Sequence, residues 1–280
     1  MEFRFGVNML ASGERTHWQD RCRRAEDLGF DVVAVPDHIG MRAPFPSLVA
    51  AAEATERVRL GTFVVNTAFH NPTLLARDVG TTDLLLDGRL ELGLGTGYAR
   101  EEFDAAELPF PGPGARLDHL ERCLAVLREH YGERRLPPIV LGGQRDRMLR
   151  IAAREADVVG FTGVRFDRDG AAATLVGPSE LDERVAFVRA EAGDRDPELN
   201  LLIQHVEITG DRASALENLS RYAPDRPVAE LGEAPVLLVG TARQIADQLR
   251  AHRERFGFTY ITVMDKDLDA FAGVIAELRR

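Results

Sequence analysis

The sequence predicts an α/β protein folded as one (β/α)8 TIM barrel over residues 1–280, and two observations predict it. Strand-like and helix-like stretches alternate through short connections, the pattern of βα units feeding a parallel sheet. Three apolar runs near the start also stop abruptly in small or polar residues: Val32 to His38, Leu60 to Asn66 and Leu90 to Gly97. As parallel barrel strands they would end at one rim, where Asp37, His38, Asn66, Thr96 and Gly97 share a pocket.

Each element follows from local signals. Phe3 to Met9 is the first strand, and after the turn at Ala11-Ser12-Gly13, Thr16 is placed to cap a helix through Leu28, with Gly29 ending it. Asp31 to Val35 is almost wholly apolar, as a strand buried on both faces should be. A loop at Ala43-Pro44-Phe45-Pro46 leads to a helix over Ser47 to Glu56, and Val58 to Val65 is strand three. Asn71-Pro72 opens a helix to Leu86, the proline standing in the favoured first turn. Arg89 to Leu94 feeds a glycine run and a long irregular loop holding Pro109, Pro111 and Pro113, after which Leu117, Leu120, Leu124 and Leu127 mark a helix by their spacing. Pro138 to Leu141 is strand five, followed by Gly142-Gly143 and a helix over Gln144 to Arg154. Asp157 to Phe161 is strand six, followed by Thr162-Gly163, a variable loop and a helix over Ser179 to Glu191. Asn200 to Thr209 is strand seven, with a helix over Arg212 to Tyr222. Between Ala223 and Val239 the prolines at 224, 227 and 235 exclude one continuous helix. Thr241 caps a helix to Phe256, Thr259 to Val263 is strand eight, and Leu268 to Leu278 is the last helix.

Composition excludes several function classes. Hydrophobic residues at 45% and charged residues at 29% are ordinary globular usage, enough for a large core. A net charge of −10 opposes bulk affinity for nucleic acid or an anionic membrane. No apolar stretch reaches the ~18 residues of a membrane span, and Met1 to Phe5 do not begin a secretory leader, so a cytoplasmic protein is expected. Cys22 and Cys123 sit inside helical patterns, without disulfide or metal-knuckle spacing, and read as small hydrophobes.

Several constellations bear on chemistry. Gly93-Leu94-Gly95-Thr96-Gly97-Tyr98 lacks the third glycine of a dinucleotide fingerprint and closes the fourth strand rather than the first, so it offers close backbone approach to a flat ring instead. Asp37-His38 sets an acceptor beside a group that titrates near neutrality, with Pro36 stopping the strand just before. Gly142-Gly143 before Gln144 and Arg145 suggests an anion site of free backbone N–H groups at a helix start, to which Arg145 and Arg147 add charge. The alternative is a glycine turn with arginines on a solvated helix face. His17, His119, His130 and His252 fall in helical stretches. His70 is near the rim, and His205 shares a strand face with Ile203 and Glu207. No His-Glu-x-x-His or Gly-x-Ser-x-Gly pattern supports metal or serine hydrolase chemistry, and no metal site is expected.

On these segments the chain resembles the bacterial luciferase-like superfamily, and within it the oxidoreductases that use the deazaflavin coenzyme F420. The resemblance is carried by Gly29-Phe30-Asp31 through Asp37-His38, Leu60-Gly61-Thr62 through Asn71-Pro72, Arg89 through Tyr98, and Leu141-Gly142-Gly143. It covers roughly the first 160 residues and implies a ring at the carboxyl-terminal mouth of the barrel, a homodimer, and a non-prolyl cis peptide at Phe63-Val64 behind the ring. Asp37, Asn66, Thr96, Gly97, Gly142 and Gly143 would touch the cofactor, joined by Tyr98, Gln144, Arg145 and Thr162, and His38 would serve as proton donor with Asp37 positioning. The family's sugar-phosphate dehydrogenases carry an acidic residue where Tyr98 stands, which argues against such a substrate here. The expected activity is hydride transfer between reduced F420 and a small organic acceptor. FMN-dependent monooxygenation and a non-catalytic flavin-binding barrel are the alternatives.

Overall fold

The computed structural model describes residues 2–10, 12–166, 173–221 and 226–280. Ala11 of the first predicted turn, Tyr222 at the end of the helix predicted from Arg212, and Ala223 and Pro224 of the unclear stretch lie outside the described residues. In chain order the strands are β1 (Arg4–Asn8), β2 (Val32–Val35), β3 (Arg59–Thr62), β4 (Val65–Asn66), β5 (Leu90–Gly95), β6 (Ile139–Gly142), β7 (Val158–Phe161), β8 (Val164–Phe166), β9 (Ala173–Leu175), β10 (Glu198–Leu202), β11 (His205–Ile208), β12 (Leu237–Gly240) and β13 (Phe258–Met264). The large sheet runs β3-β2-β1-β13-β10-β7-β6-β5-β4, and β3 also pairs with β5, which closes it. Since β3 and β4 are two halves of one interrupted strand, this is an eight-stranded parallel barrel.

The helices are α1 (Arg15–Asp27), α2 (Pro44–Ala52), α3 (Pro72–Leu85), α4 (Arg100–Ala105), α5 (Pro113–Tyr131), α6 (Asp146–Glu155), α7 (Pro178–Ala192), α8 (Arg212–Ser220), α9 (Val228–Glu233), α10 (Ala242–Phe256) and α11 (Leu268–Leu278). Several predicted ends hold. The Asn71 side chain accepts from the N–H groups of Thr73 and Leu74, Thr241 and Gln244 form a reciprocal capping box, and Gly29 and Gly257 take positive φ after α1 and α10. Others move. Thr16 lies inside α1, whose cap is Glu14. Helix α2 starts at Pro44 instead of Ser47 and ends at Ala52, because the prolines read as loop formers occupy its first turn. The loop after β5 is not wholly irregular, since it contains α4.

The predicted seventh strand divides. Beyond Leu202 the chain leaves the barrel, and β11 pairs in parallel with β12, a strand inside the stretch where proline had obscured the pattern. Ala215, Leu216, Leu231, Ala234, Leu237 and Val239 form a small separate core beneath this pair. A cleft of about 510 Å3 flanks it, lined among others by Arg212, Gln248, His252 and Arg255. It does not reach the strand ends that carry Asp37 and His38. Its arginines are already committed: Arg212 donates to the carbonyls of Val239 and Gly232, and Arg255 pairs with Asp182.

His252 in this cleft makes the fold acid-sensitive. Burial, helped by nearby Arg255, pushes its imidazole down to about 4. The unfolded chain binds the proton near the ordinary value of about 6.5, so the unfolded state holds more protons between those limits. Stability is therefore full above the upper limit and falls on acidification towards the lower one, by up to about 1.4 kcal/mol per pH unit. A His252→Gln protein should show a shallower fall in Tm over that window. A fall equal to the parent's would remove His252 as its source.

The barrel interior is closed at its amino-terminal end by charge. Arg4 of β1 reaches across to Glu91 of β5 and Glu198 of β10, 2.6 Å from each, and the Tyr260 hydroxyl donates to Glu91 at 2.9 Å. Burial works against the Arg4 charge, yet Glu91, Tyr260 and Glu198 outweigh it and hold its pKa above the usual value. Above this plug lie Val32, Val140, Val158 and Tyr260, with Phe63 packed on them.

Candidate active site

The site begins where strand three is interrupted. The Phe63–Val64 peptide is cis, at the position the resemblance implied. Next to it, β5 loses its ordinary ladder and side chains replace it. The Thr62 hydroxyl donates to the Gly93 carbonyl at 2.7 Å and accepts from the Gly93 N–H at 2.9 Å, and the Thr67 hydroxyl donates to the Gly95 carbonyl at 2.7 Å. The glycine run answers this geometry. A Cβ on Gly93 would stand 2.0 Å from the Thr62 carbonyl oxygen, and one on Gly95 would stand 2.6 Å from a Val64 methyl. One on Gly97, at φ +68°, would lie 2.4 Å from the Asn66 amide. The expectation that these glycines serve close approach to a ligand is therefore corrected: their bare faces first admit the chain's own interrupted strand.

Asp37 and His38 both leave the end of β2 but do not pair with each other. The Asp37 carboxylate accepts the Asn66 N–H at 3.0 Å and lies 3.5 Å from Nε2 of His70, so it ties β2 to the interrupted strand. His38 turns to α4, where its Nδ1 is 2.5 Å from Oε1 of Glu102. The Tyr98 ring stands edge-on to His38 at 6.2 Å between centroids. Glu102 was not among the sequence candidates. It is separated from His38 by 64 positions, and its only local signal is an acidic pair, Glu101-Glu102, in the first turn of a short helix.

An aromatic cluster sets the place of that helix. Phe103 is fully buried, with Phe69 and Phe110 rings 5.0 and 4.9 Å away. Arg116 lies over Phe110 and donates to the Pro111 carbonyl, which fixes the proline-rich segment behind α4. Burial, followed by the Glu102 charge, raises the Tyr98 pKa, so its phenol stays protonated at neutral pH.

The opposite wall comes from β6, β7 and the start of β11. Gln144 donates to the Thr162 hydroxyl at 2.8 Å, Thr162 donates to the Val164 carbonyl at 3.0 Å, and Gln204 donates to the Thr162 carbonyl at 2.8 Å. The predicted anion site needs correction here. Helix α6 begins at Asp146, not Gln144, and the Gly143 N–H is already bonded to the Gly160 carbonyl at 3.1 Å. Arg147 is held by Asp118 and Glu121 on an outer face, and Arg145 is exposed. Gly142 borders the interior, where a Cβ on Gly160 would meet the Gly142 Cα, the tip of Phe63 and the Asn200 side chain within 3.8 Å. Thr96 is half-buried at the end of β5.

Asn8 Oδ1, Asn66 Nδ2 and Asn200 Oδ1 are buried amide atoms near this region with no partner among the described residues. Buried polar groups are costly unless paired, so these mark where a polar ligand edge would be met. One donor and two acceptors beside small residues at 95, 142 and 160 suit the alternating carbonyl and N–H edge of a flavin-type ring. Cys22 and Cys123 are buried, their thiols pushed up to about 12 and about 11 by burial, and neither is a nucleophile. Among the described residues no group of His, Cys, Asp or Glu could hold a metal ion, and no helix is long and apolar enough to cross a membrane.

A histidine–carboxylate pair stands at the carboxyl-end rim of a parallel barrel, with buried amides that lack a partner among the described residues inside it, the arrangement in which such barrels carry their ligand sites. The chain belongs to the luciferase-like monooxygenase family, whose profile matches residues 2–231. It is 40% identical over 128 residues to an F420-dependent glucose-6-phosphate dehydrogenase of Intrasporangium calvum, across 42% of this chain and 38% of that one. It is 31% identical over 110 residues to a 5,10-methylenetetrahydromethanopterin reductase of Methanopyrus kandleri, across 39% and 31%. The matched segments thus span about a third of the length of these curated relatives. Among solved structures, an F420-dependent secondary alcohol dehydrogenase holding an F420-acetone adduct superposes over all of both chains with TM-score 0.76 at 19% identity, a likeness of fold.

Proposed function

We propose that the protein is an oxidoreductase that transfers hydride between coenzyme F420 and a small organic substrate. The observation that carries the proposal is the set of unpartnered amides, Asn8, Asn66 and Asn200, around the glycine-bordered mouth. The F420-dependent dehydrogenases among its relatives favour a deazaflavin among the planar rings this edge could read. Asn66 and Gly142 would hold the ring, with Phe63 and Val64 behind it and Thr96, Gly97, Gly143, Gln144 and Thr162 at its margins. When bound, the deazaflavin supplies a two-electron hydride couple, chemistry that no side chain provides.

The chain's own part is orientation and proton handling. With Glu102 accepting from Nδ1, His38 keeps Nε2 as the nitrogen that gives or takes the substrate proton. Asp37 holds the interrupted strand, and through it Asn66, in place. Leu10, Ile39, Met41 and Tyr98, 41 to 47% exposed on the loops after β1, β2 and β5, offer an apolar rim, which favours a substrate with an apolar body over a sugar phosphate. The same proposal includes one domain over 1–280, a homodimer and a cytoplasmic setting, checked by light scattering and cell fractionation.

Fluorescence titration with F420, FMN and NADPH tests the reading. Saturable binding of F420, undisturbed by excess FMN or NADPH, is expected, with anaerobic turnover. Preferential FMN binding with oxygen consumption would instead assign monooxygenation, since deazaflavins react poorly with oxygen.

A further inference from the structure

We infer that Glu102 is a positioning residue that locks His38 in one tautomer, leaving Nε2 as its proton-exchanging nitrogen. The inference rests on the assignment of His38 as the proton carrier. A carboxylate has only acceptor sites, so the 2.5 Å contact requires the proton of neutral His38 to sit on Nδ1. An imidazole in water favours the other tautomer, with the proton on Nε2. Without Glu102, neutral His38 would present an N–H at Nε2, which serves the direction in which the ring gives a proton and blocks the one in which it takes a proton. Holding the ring by Nδ1 is the role a neighbouring carboxylate plays in orienting a catalytic histidine.

The surroundings support a built arrangement rather than a chance surface pair. The side chains of His38 and Glu102 are only 31% and 20% exposed. Phe103, next in sequence to Glu102, is fully buried between Phe69 and Phe110, so the backbone carrying the carboxylate is anchored. Tyr98 closes the pair from the end of β5, and Asp37, the other carboxylate nearby, is occupied by the Asn66 N–H and His70. Glu102 is the carboxylate within hydrogen-bonding distance of the ring.

Nitrogen NMR of histidine-labelled full-length protein reads the tautomer directly, without cofactor or substrate. In alkaline buffer, where the imidazole is neutral, the parent should show Nδ1 protonated and Nε2 bare. Glu102→Ala should move the proton to Nε2, whereas Glu102→Gln, isosteric and still able to accept through its amide oxygen, should retain much of the parent signature. In turnover assays Glu102→Ala should lower kcat by about 10- to 100-fold with KM and F420 affinity little changed, and Glu102→Gln should lose less. A His38 tautomer indifferent to both substitutions overturns the inference. A tautomer that shifts while Glu102→Ala and His38→Ala both turn over normally overturns the assignment of His38 as proton carrier, and with it the role of Glu102. Failure of F420 to bind the parent protein overturns the cofactor proposal separately.

Discussion

Replacing His38 with alanine is expected to slow turnover by about 100-fold or more while leaving F420 affinity nearly unchanged. The two effects separate because His38 is not among the groups that would hold the ring. Its Nδ1 is engaged by Glu102 and its ring meets the edge of Tyr98, both at the rim. The polar edge of the ring would be met deeper, by Asn8, Asn66 and Asn200, none of which bonds to His38. Removing the imidazole leaves water as the proton source, which costs the usual contribution of a positioned acid or base. Stopped-flow hydride transfer and equilibrium titration on the same preparation check both halves. Unaltered kcat would remove His38 from the chemistry, and a large loss of affinity would make it a binding residue.

Gly93→Ala should be the most damaging small substitution in the barrel, lowering stability by about 3 kcal/mol and Tm by roughly 6–12 °C. The added methyl would be 2.0 Å from the Thr62 carbonyl oxygen. The backbone cannot easily retreat, because the Gly93 N–H and carbonyl are both bonded to the Thr62 hydroxyl. Gly142→Ala is the matched control: its methyl would rest 3.6 Å from the Gly160 carbonyl oxygen, an ordinary contact, so stability should change little. Because Gly142 borders the mouth, the same substitution should weaken F420 binding. Equal thermal shifts for the two variants would contradict the assignment of Gly93 to packing and Gly142 to the ligand side.

Local pattern made much of the fold legible. Leu268 to Leu278 and the end of α10 at Phe256 fall where apolar spacing put them, and Asn71 and Thr241 cap the helices they announce. The misplaced ends have specific causes. Proline at 44 and 46 serves a first helical turn as readily as a loop, and Thr16 lost the cap to Glu14 because nothing local ranks the two by tertiary fit. In the candidate site, Asp37, His38, Asn66 and Gly97 were recognisable as strand-end residues, yet their partners were not.

The sequence by itself determined the alternation of buried strands and half-buried helices, and hence which residues stand at the carboxyl ends of the strands, because burial imprints its period on neighbouring positions. Tertiary structure alone decided that Glu102 faces His38, that Asp37 holds the interrupted strand, that the glycines of β5 make room for Thr62 and Val64, and that β11 leaves the barrel for β12. These relations join residues far apart in the chain. They exist only once the sheet has closed and brought their backbones within hydrogen-bonding or van der Waals reach.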